Sequence, residues 1–156
     1  MALQIGDVAP NFTLIGSDTK EVSLSYYAGK NVVVLFFPLA FTGVCTTELC
    51  EMRDSLSTYS GLNAEILAIS VDSPFTLAKF KEEQRLPFPL LSDFNKTTAE
   101  AYGSLYEDFV LGMKGVAKRS AFVVDAKGVI QYAEVLESAG DLPDFAGIQA
   151  ALKNIG

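Results

Sequence analysis

The sequence predicts an α/β sandwich built on a mixed β-sheet, and three observations carry that prediction. Continuous β-branched and aromatic runs of strand length recur along the chain, as they do in central strands covered on both faces. Segments that open with helix-start signals separate them. A Lys127-Gly128 turn then sets two late apolar runs side by side as a hairpin, so strand directions must be mixed.

Taken in order, Phe12 to Tyr26 (FTLIGSDTKEVSL and the residues after it) reads as a short hairpin turning at Ser17 to Lys20, placed before the first long strand. Val32 to Phe37 (VVVLFF) is that strand. Thr42 to Tyr59 reads as one long helix, Glu65 to Val71 as the next strand, and Pro74 to Gln84 as a helix with proline in its opening turn. Thr97 to Tyr102 is a short helix, Ser120 to Asp125 and Val129 to Val135 form the late hairpin, and Phe145 to Asn154 closes the chain as a helix. No repeat, low-complexity tract or Gly/Ser/Pro-rich linker divides residues 1–156, so one domain is expected. This string of elements fits a thioredoxin-like fold; a flavodoxin-like sheet would give a similar one.

Composition narrows the chemistry. With 156 residues, 49% hydrophobic and 20% charged, the chain is large enough to bury a real core. Nineteen acidic against twelve basic residues give a net charge of −7, which repels phosphate backbones and anionic lipid, so neither nucleic acid nor a membrane is expected as a partner. The absence of histidine removes Ser-His-Asp and Cys-His catalysis, histidine-ligated haem and every histidine-containing zinc site. Two cysteines, Cys45 and Cys50, are too few for an all-cysteine zinc or iron–sulfur site within one chain. Acidic metal sites stay open. Met1 to Phe12 carries Asp7 and no basic residue ahead of an apolar run, unlike a secretion signal. The longest apolar stretch, Val32 to Phe41, is interrupted by Pro38 and reaches about half the ~20 residues of a membrane span. A cytoplasmic protein is expected.

Cys45 follows a strand, Pro38 and a turn, which puts it in the first turn of the long helix, where unpaired N–H groups and the helix dipole favour an anion. Cys45, Leu49, Met52, Leu56 and Tyr59 recur at intervals of four, three, four and three, so the thiol points along the buried stripe. Position alone leaves two readings, a reactive thiolate or a small buried hydrophobe. Thr42, three residues earlier, has a hydroxyl that can cap the helix and donate to a sulfur in its first turn; an N-cap alone would explain it equally. A phosphatase loop is excluded because its C-x5-R spacing meets Glu51 here, with Arg53 on the wrong turn.

Pro38-Leu39-Ala40-Phe41-Thr42-Gly43-Val44-Cys45 resembles the P-x-x-x-T-x-x-C signature of peroxiredoxins, thiol peroxidases with a thioredoxin-like fold. The resemblance extends to Gly6-Asp7-Val8-Ala9-Pro10-Asn11-Phe12-Thr13-Leu14, Pro87-Phe88-Pro89-Leu90-Leu91-Ser92-Asp93 and Arg119-Ser120-Ala121-Phe122-Val123-Val124-Asp125. The run FFPLAFTGVCTTEL is similar to the alkyl hydroperoxide reductase E type. The resemblance implies that Cys45 is the peroxidatic cysteine, that Thr42 binds thiolate and peroxide oxygen, that Arg119 activates the thiol and that Pro38 shields the site. Glu48 then orients the arginine, or it is a first-turn acid that complements the helix dipole. Outside the resemblance, Arg119 reads as a solvated basic loop end after Lys114, Gly115 and Lys118.

Cys50 adds a second thiol. Five residues along a helix turn about 500°, so it lies about 140° around and about 7.5 Å along from Cys45. That exceeds the ~7 Å between Cα atoms at which a disulfide closes. Cys50 shares its side of the helix with Thr46, Arg53 and Ser57, a mainly polar stripe, so bonding to Cys45 would require the first turns to unwind. The pair departs from the one-cysteine E type and resembles the C-x4-C pair common in the Q type of the family, a resemblance that implies a resolving role for Cys50; the alternative is a structural thiol. The expected reaction is reduction of hydrogen peroxide or organic hydroperoxides, leaving a Cys45 sulfenic acid that Cys50 or an external thiol of thioredoxin or glutaredoxin type resolves. No metal, haem, flavin or nucleotide cofactor is required. Two alternatives are a non-enzymatic peroxide-sensing module and a binding domain with inert thiols. A homodimer is expected from the resemblance, with Phe41, Phe75, Phe80 and Tyr102 as aromatic candidates for its contact.

Overall fold

The structure, a computed structural model, describes residues 3–155; residues 1, 2 and 156 of the expected domain lie outside the described residues. Seven strands form one sheet in the order β2-β1-β5-β4-β3-β6-β7. They are β1 (Thr13–Gly16), β2 (Glu21–Ser23), β3 (Asn31–Phe36), β4 (Ala64–Ser70), β5 (Leu90–Ser92), β6 (Ser120–Val124) and β7 (Ile130–Val135). β3, β4 and β5 run parallel, whereas β6 is antiparallel to β3 and to β7, so the predicted mixed sheet and late hairpin are both present. The early hairpin β1–β2 joins the sheet through an antiparallel β1–β5 pairing.

β3 is buried along its whole length, as its unbroken apolar run requires, and its alternate side chains feed two cores. Val33, Leu35 and Phe37 face one side with Ile66 and Val123, beneath α1 (Gly43–Asp54), α2 (Leu56–Gly61), α3 (Pro74–Gln84) and α5 (Phe145–Asn154). Val32, Val34 and Phe36 face the other side with Leu67, Phe122 and Tyr102, next to α4 (Thr97–Ala101) and the early hairpin. Cys45 belongs to the first of these cores. No helix among the described residues is long and apolar enough to cross a membrane.

The helix expected over Thr42 to Tyr59 is in fact two. Ser55 (φ −103°, ψ 12°) leaves helical geometry and separates α1 from α2. Serine hydrogen-bonds nearby backbone in non-helical conformations and so favours such junctions, but the 45/49/52/56/59 spacing continues across it and hides the break. The strand β5 has only three residues, between Pro89 and Asp93, and carries too little pattern to be read from sequence.

Candidate active site

β3 delivers the chain to the site. After Phe36 the ladder continues for one more bond, Phe37 N–H to Ile69 O at 3.0 Å, and Pro38 is buried immediately beyond it. The chain then reverses through Phe41, whose φ of +67° is the left-handed conformation that non-glycine residues rarely adopt. Thr42 follows in extended geometry as the N-cap and α1 begins at Gly43, placing Cys45 third in the helix. The first-turn N–H groups there have no intrahelical acceptor.

Cys45 is fully buried, and the Arg119 guanidinium faces its sulfur. Arg119, the residue before β6, is 1% exposed and donates three hydrogen bonds. Nη2 donates to Cys45 Sγ at 3.3 Å and to the Ala139 carbonyl at 3.0 Å, while Nη1 donates to Glu48 Oε1 at 2.6 Å. Glu48 is fully buried one helical turn beyond Cys45. Glu48 Oε2 and Arg119 Nε are buried without a hydrogen-bond partner among the described residues. Burial pushes the Glu48 carboxyl up to about 7, against the pull of Arg119 and with a further push from Glu134. Burial works against the charge on Arg119, but Glu48 and Cys45 outweigh it and hold the guanidinium above its ordinary range. The arginine therefore keeps its charge with an N–H aimed at the sulfur, whereas burial disfavours the charge on the carboxyl beside it. A charge-assisted donor fixed in a water-poor site is well suited to stabilise charge that develops on sulfur or on an oxygen bound to it.

The structure thus brings Cys45, Glu48 and Arg119 together and separates them from Cys50. Burial of Arg119 excludes a solvated loop end, and its ion pair with Glu48 gives that acid a partner other than the helix dipole. Cys50 is half-buried on the other side of α1, its Sγ 3.5 Å from Gln84 Oε1 at the end of α3. Arg53 Nη1 donates to the Gln84 carbonyl at 2.6 Å, so the predicted polar stripe packs on the end of a neighbouring helix. Both cysteines are free thiols.

Thr42 departs from expectation. It occupies the N-cap by backbone conformation, but its hydroxyl makes no cap; the tight turn through Phe41 presents Oγ1 to the Leu39 carbonyl instead, at 2.8 Å. Of the four aromatic candidates for a dimer contact, Phe80 and Tyr102 are wholly buried core residues, leaving Phe41 and Phe75, 49% and 76% exposed. Two contributors have no sequence signal. The Ala139 carbonyl is main chain, and Asp72 reaches this region only through the adjacency of β3 and β4, accepting from Ala40 N–H at 2.8 Å.

Comparison with known proteins agrees with this geometry. Residues 5–133 match the model of the AhpC/TSA family. The chain is 41% identical over 145 residues to alkyl hydroperoxide reductase E of Mycobacterium tuberculosis, covering 91% of each chain. It is 38% identical over 160 residues to peroxiredoxin-2 of Mus musculus, covering 96% of this chain and 76% of that one. Among solved structures it is similar to the peroxidoxin BcpB of Mycobacterium tuberculosis, with a TM-score of 0.86, 31% identity and 99% of each chain covered. A thioredoxin-like sheet, a cysteine at the start of the helix that follows its central strand, and these relatives agree: the chain belongs to the AhpC/TSA family and is a peroxiredoxin, a thiol-dependent peroxidase.

Proposed function

We propose that the chain reduces hydrogen peroxide and organic hydroperoxides at Cys45, that Cys50 resolves the oxidised cysteine, and that an external thiol of thioredoxin or glutaredoxin type restores both. The observation that carries the reading is the Arg119 N–H donated to the buried Cys45 sulfur, with Glu48 bracing the guanidinium from the other side.

The Cys45 thiolate attacks one peroxide oxygen in line with the O–O bond. A sulfur–oxygen bond forms, the O–O bond breaks, and the departing oxygen leaves as hydroxide or alkoxide and is protonated to water or alcohol. Sulfur is oxidised to sulfenic acid as the peroxide is reduced. Arg119 and the free N–H groups of the first turn of α1 stabilise charge on the reacting atoms. Rotation of the Thr42 hydroxyl away from Leu39 supplies a further donor for the peroxide, and buried Pro38 keeps water off the sulfur.

In the second step the Cys50 sulfur attacks the Cys45 sulfenic acid, water leaves and a disulfide forms. Cys45 lies in the core and Cys50 against Gln84, so the first turns of α1 unwind before the sulfurs meet. Two thiols of the reductant then cleave the disulfide and become oxidised themselves. The proposal includes a cytoplasmic location, where thiols are kept reduced, and a homodimer formed through exposed Phe41 and Phe75.

The test is peroxide consumption with a reduced thioredoxin or glutaredoxin in excess. Sustained turnover lost in Cys45→Ser supports the reading. One equivalent of peroxide consumed and no more would replace it with the sensing module.

A further inference from the structure

The segment that carries Pro38, Phe41 and Thr42 packs through buried Pro38 and Ala40 and through Phe41 against Phe80, but few hydrogen bonds fix its backbone. Within it, Thr42 Oγ1 bonds locally to Leu39 O, and Thr46 N–H bonds back to Thr42 O as α1 begins. Among the described residues, one hydrogen bond ties residues 38–42 to another element: Ala40 N–H to Asp72 Oδ2 at 2.8 Å. Asp72 is itself held by its neighbours. The same Oδ2 accepts from Ser70 Oγ at 2.6 Å, Asp72 N–H donates to Ser70 Oγ at 3.2 Å, and the Asp72 carbonyl accepts from Ser92 Oγ at 2.7 Å. Ser70 ends β4 and Ser92 ends β5, and Asp93 N–H donates to Ser70 O at 2.7 Å. The carboxylate is thereby fixed to the C-terminal edge of two central strands and presented to the loop that leaves the third.

The geometry points to Asp72 as a positioning residue that sets the balance between two conformations the reaction needs, an inference resting on the two-cysteine reading above. Peroxide attack requires the first turn of α1 wound, with Cys45 against Arg119; disulfide formation requires it unwound. The Ala40–Asp72 bond exists only while residues 38–42 hold the turn that passes through Phe41 in its left-handed conformation. It therefore favours the wound state and opposes the unwound one. The residue touches no reacting atom and acts through the loop.

The experiment separates the two steps by rapid mixing. Sulfenic acid formation is followed in a Cys50→Ser background and disulfide formation in the chain with both cysteines, each in Asp72→Ala, Asp72→Asn and the unchanged Asp72. Loss of one hydrogen bond to a charged acceptor predicts that Asp72→Ala slows sulfenic acid formation about tenfold or more, while disulfide formation is unslowed or faster. Asp72→Asn keeps an oxygen that accepts from Ala40 N–H and restores the first step to within about threefold. A loss of structure alone would slow both steps together. That result, or a first step unchanged in Asp72→Ala, overturns the inference. If Asp72→Ala does not fold, Ser70→Ala, which leaves the carboxylate unaimed, is read for the same split and decides the matter alike. If the unchanged protein forms sulfenic acid but no disulfide, the resolving role of Cys50 fails, while the first-step comparison still decides the role of Asp72.

Discussion

Cys45 and Cys50 lie five residues apart on one helix and occupy opposite chemical worlds. The first is fully buried, with the Arg119 guanidinium on its sulfur and Glu48 behind the arginine. The second is half-buried at the end of α3, near the neutral amide oxygen of Gln84, while the neighbouring Arg53 is engaged by the Gln84 carbonyl and Asp54. Part of the difference is position on the helix, since Cys45 lies in the first turn of α1, where N–H groups have no intrahelical acceptor, and Cys50 lies in its interior. The rest comes from which strand end meets each helix face: β6 brings the buried Arg119 before it onto the Cys45 sulfur, whereas the arginine on the Cys50 face, Arg53, is engaged by the Gln84 carbonyl and Asp54. A helix built this way keeps its two thiols apart while it is wound.

Substitutions on the two faces should have very different effects. Cys45→Ser abolishes peroxide-driven oxidation, whereas Cys50→Ser leaves the rate of sulfenic acid formation within about twofold, read by stopped-flow with a sulfenic-acid probe. Arg119→Met removes the donor at the sulfur and lowers that rate roughly 10²- to 10³-fold. It also strands Glu48 in the core, where an unpaired buried charge costs about 3–5 kcal/mol unless the carboxyl takes up a proton, visible in urea unfolding. Arg53→Ala, on the opposite face, leaves the first step unchanged.

A packing pair tests the same two faces. Leu49→Ala, at a fully buried position one turn from Cys45, costs about 2–5 kcal/mol in urea unfolding, while Thr46→Ala on the polar stripe stays within about 0.5 kcal/mol. The smallest effect is a pH dependence. The folded Glu48 carboxyl is raised from 4.5 to about 7, so folding takes up a proton between those values. The stability it contributes is fully present below about 4.5 and is lost as pH rises through about 7. Thermal melts across that window show a decline in the parent protein that Glu48→Gln flattens.

The fold was legible where local chemistry and burial agree. Pro74 at the start of α3 follows Ser73, whose hydroxyl accepts from Thr76 N–H, and α5 begins after Asp144, whose carboxylate accepts from Gly147 N–H. Both helices have the predicted bounds. The runs in β3, β4 and β6 are strands for the reason their composition suggests, burial on both faces or nearly so. Other features depend on contacts that a linear pattern does not record. Ser55 ends α1 inside a continuing apolar stripe, and β5 is held by β4 and β1 rather than by its own three residues. At the site, the identities of Cys45, Glu48 and Arg119 were legible, and their meeting is seen in the structure. The bond of the Thr42 hydroxyl to Leu39, the Ala139 carbonyl and the Asp72 tether were not legible, because each depends on a backbone conformation or a strand adjacency.

The proposed reaction has Cys45 attack peroxide and Cys50 resolve the product. Its most direct test is the intact mass of the native protein after one equivalent of peroxide, with Cys45→Ser and Cys50→Ser measured alongside. The expected result is a loss of about 2 Da in the parent, a gain of about 16 Da in Cys50→Ser and no change in Cys45→Ser. A sulfenic acid that persists in the parent would contradict resolution by Cys50, and oxidation that survives in Cys45→Ser would contradict the account at its root.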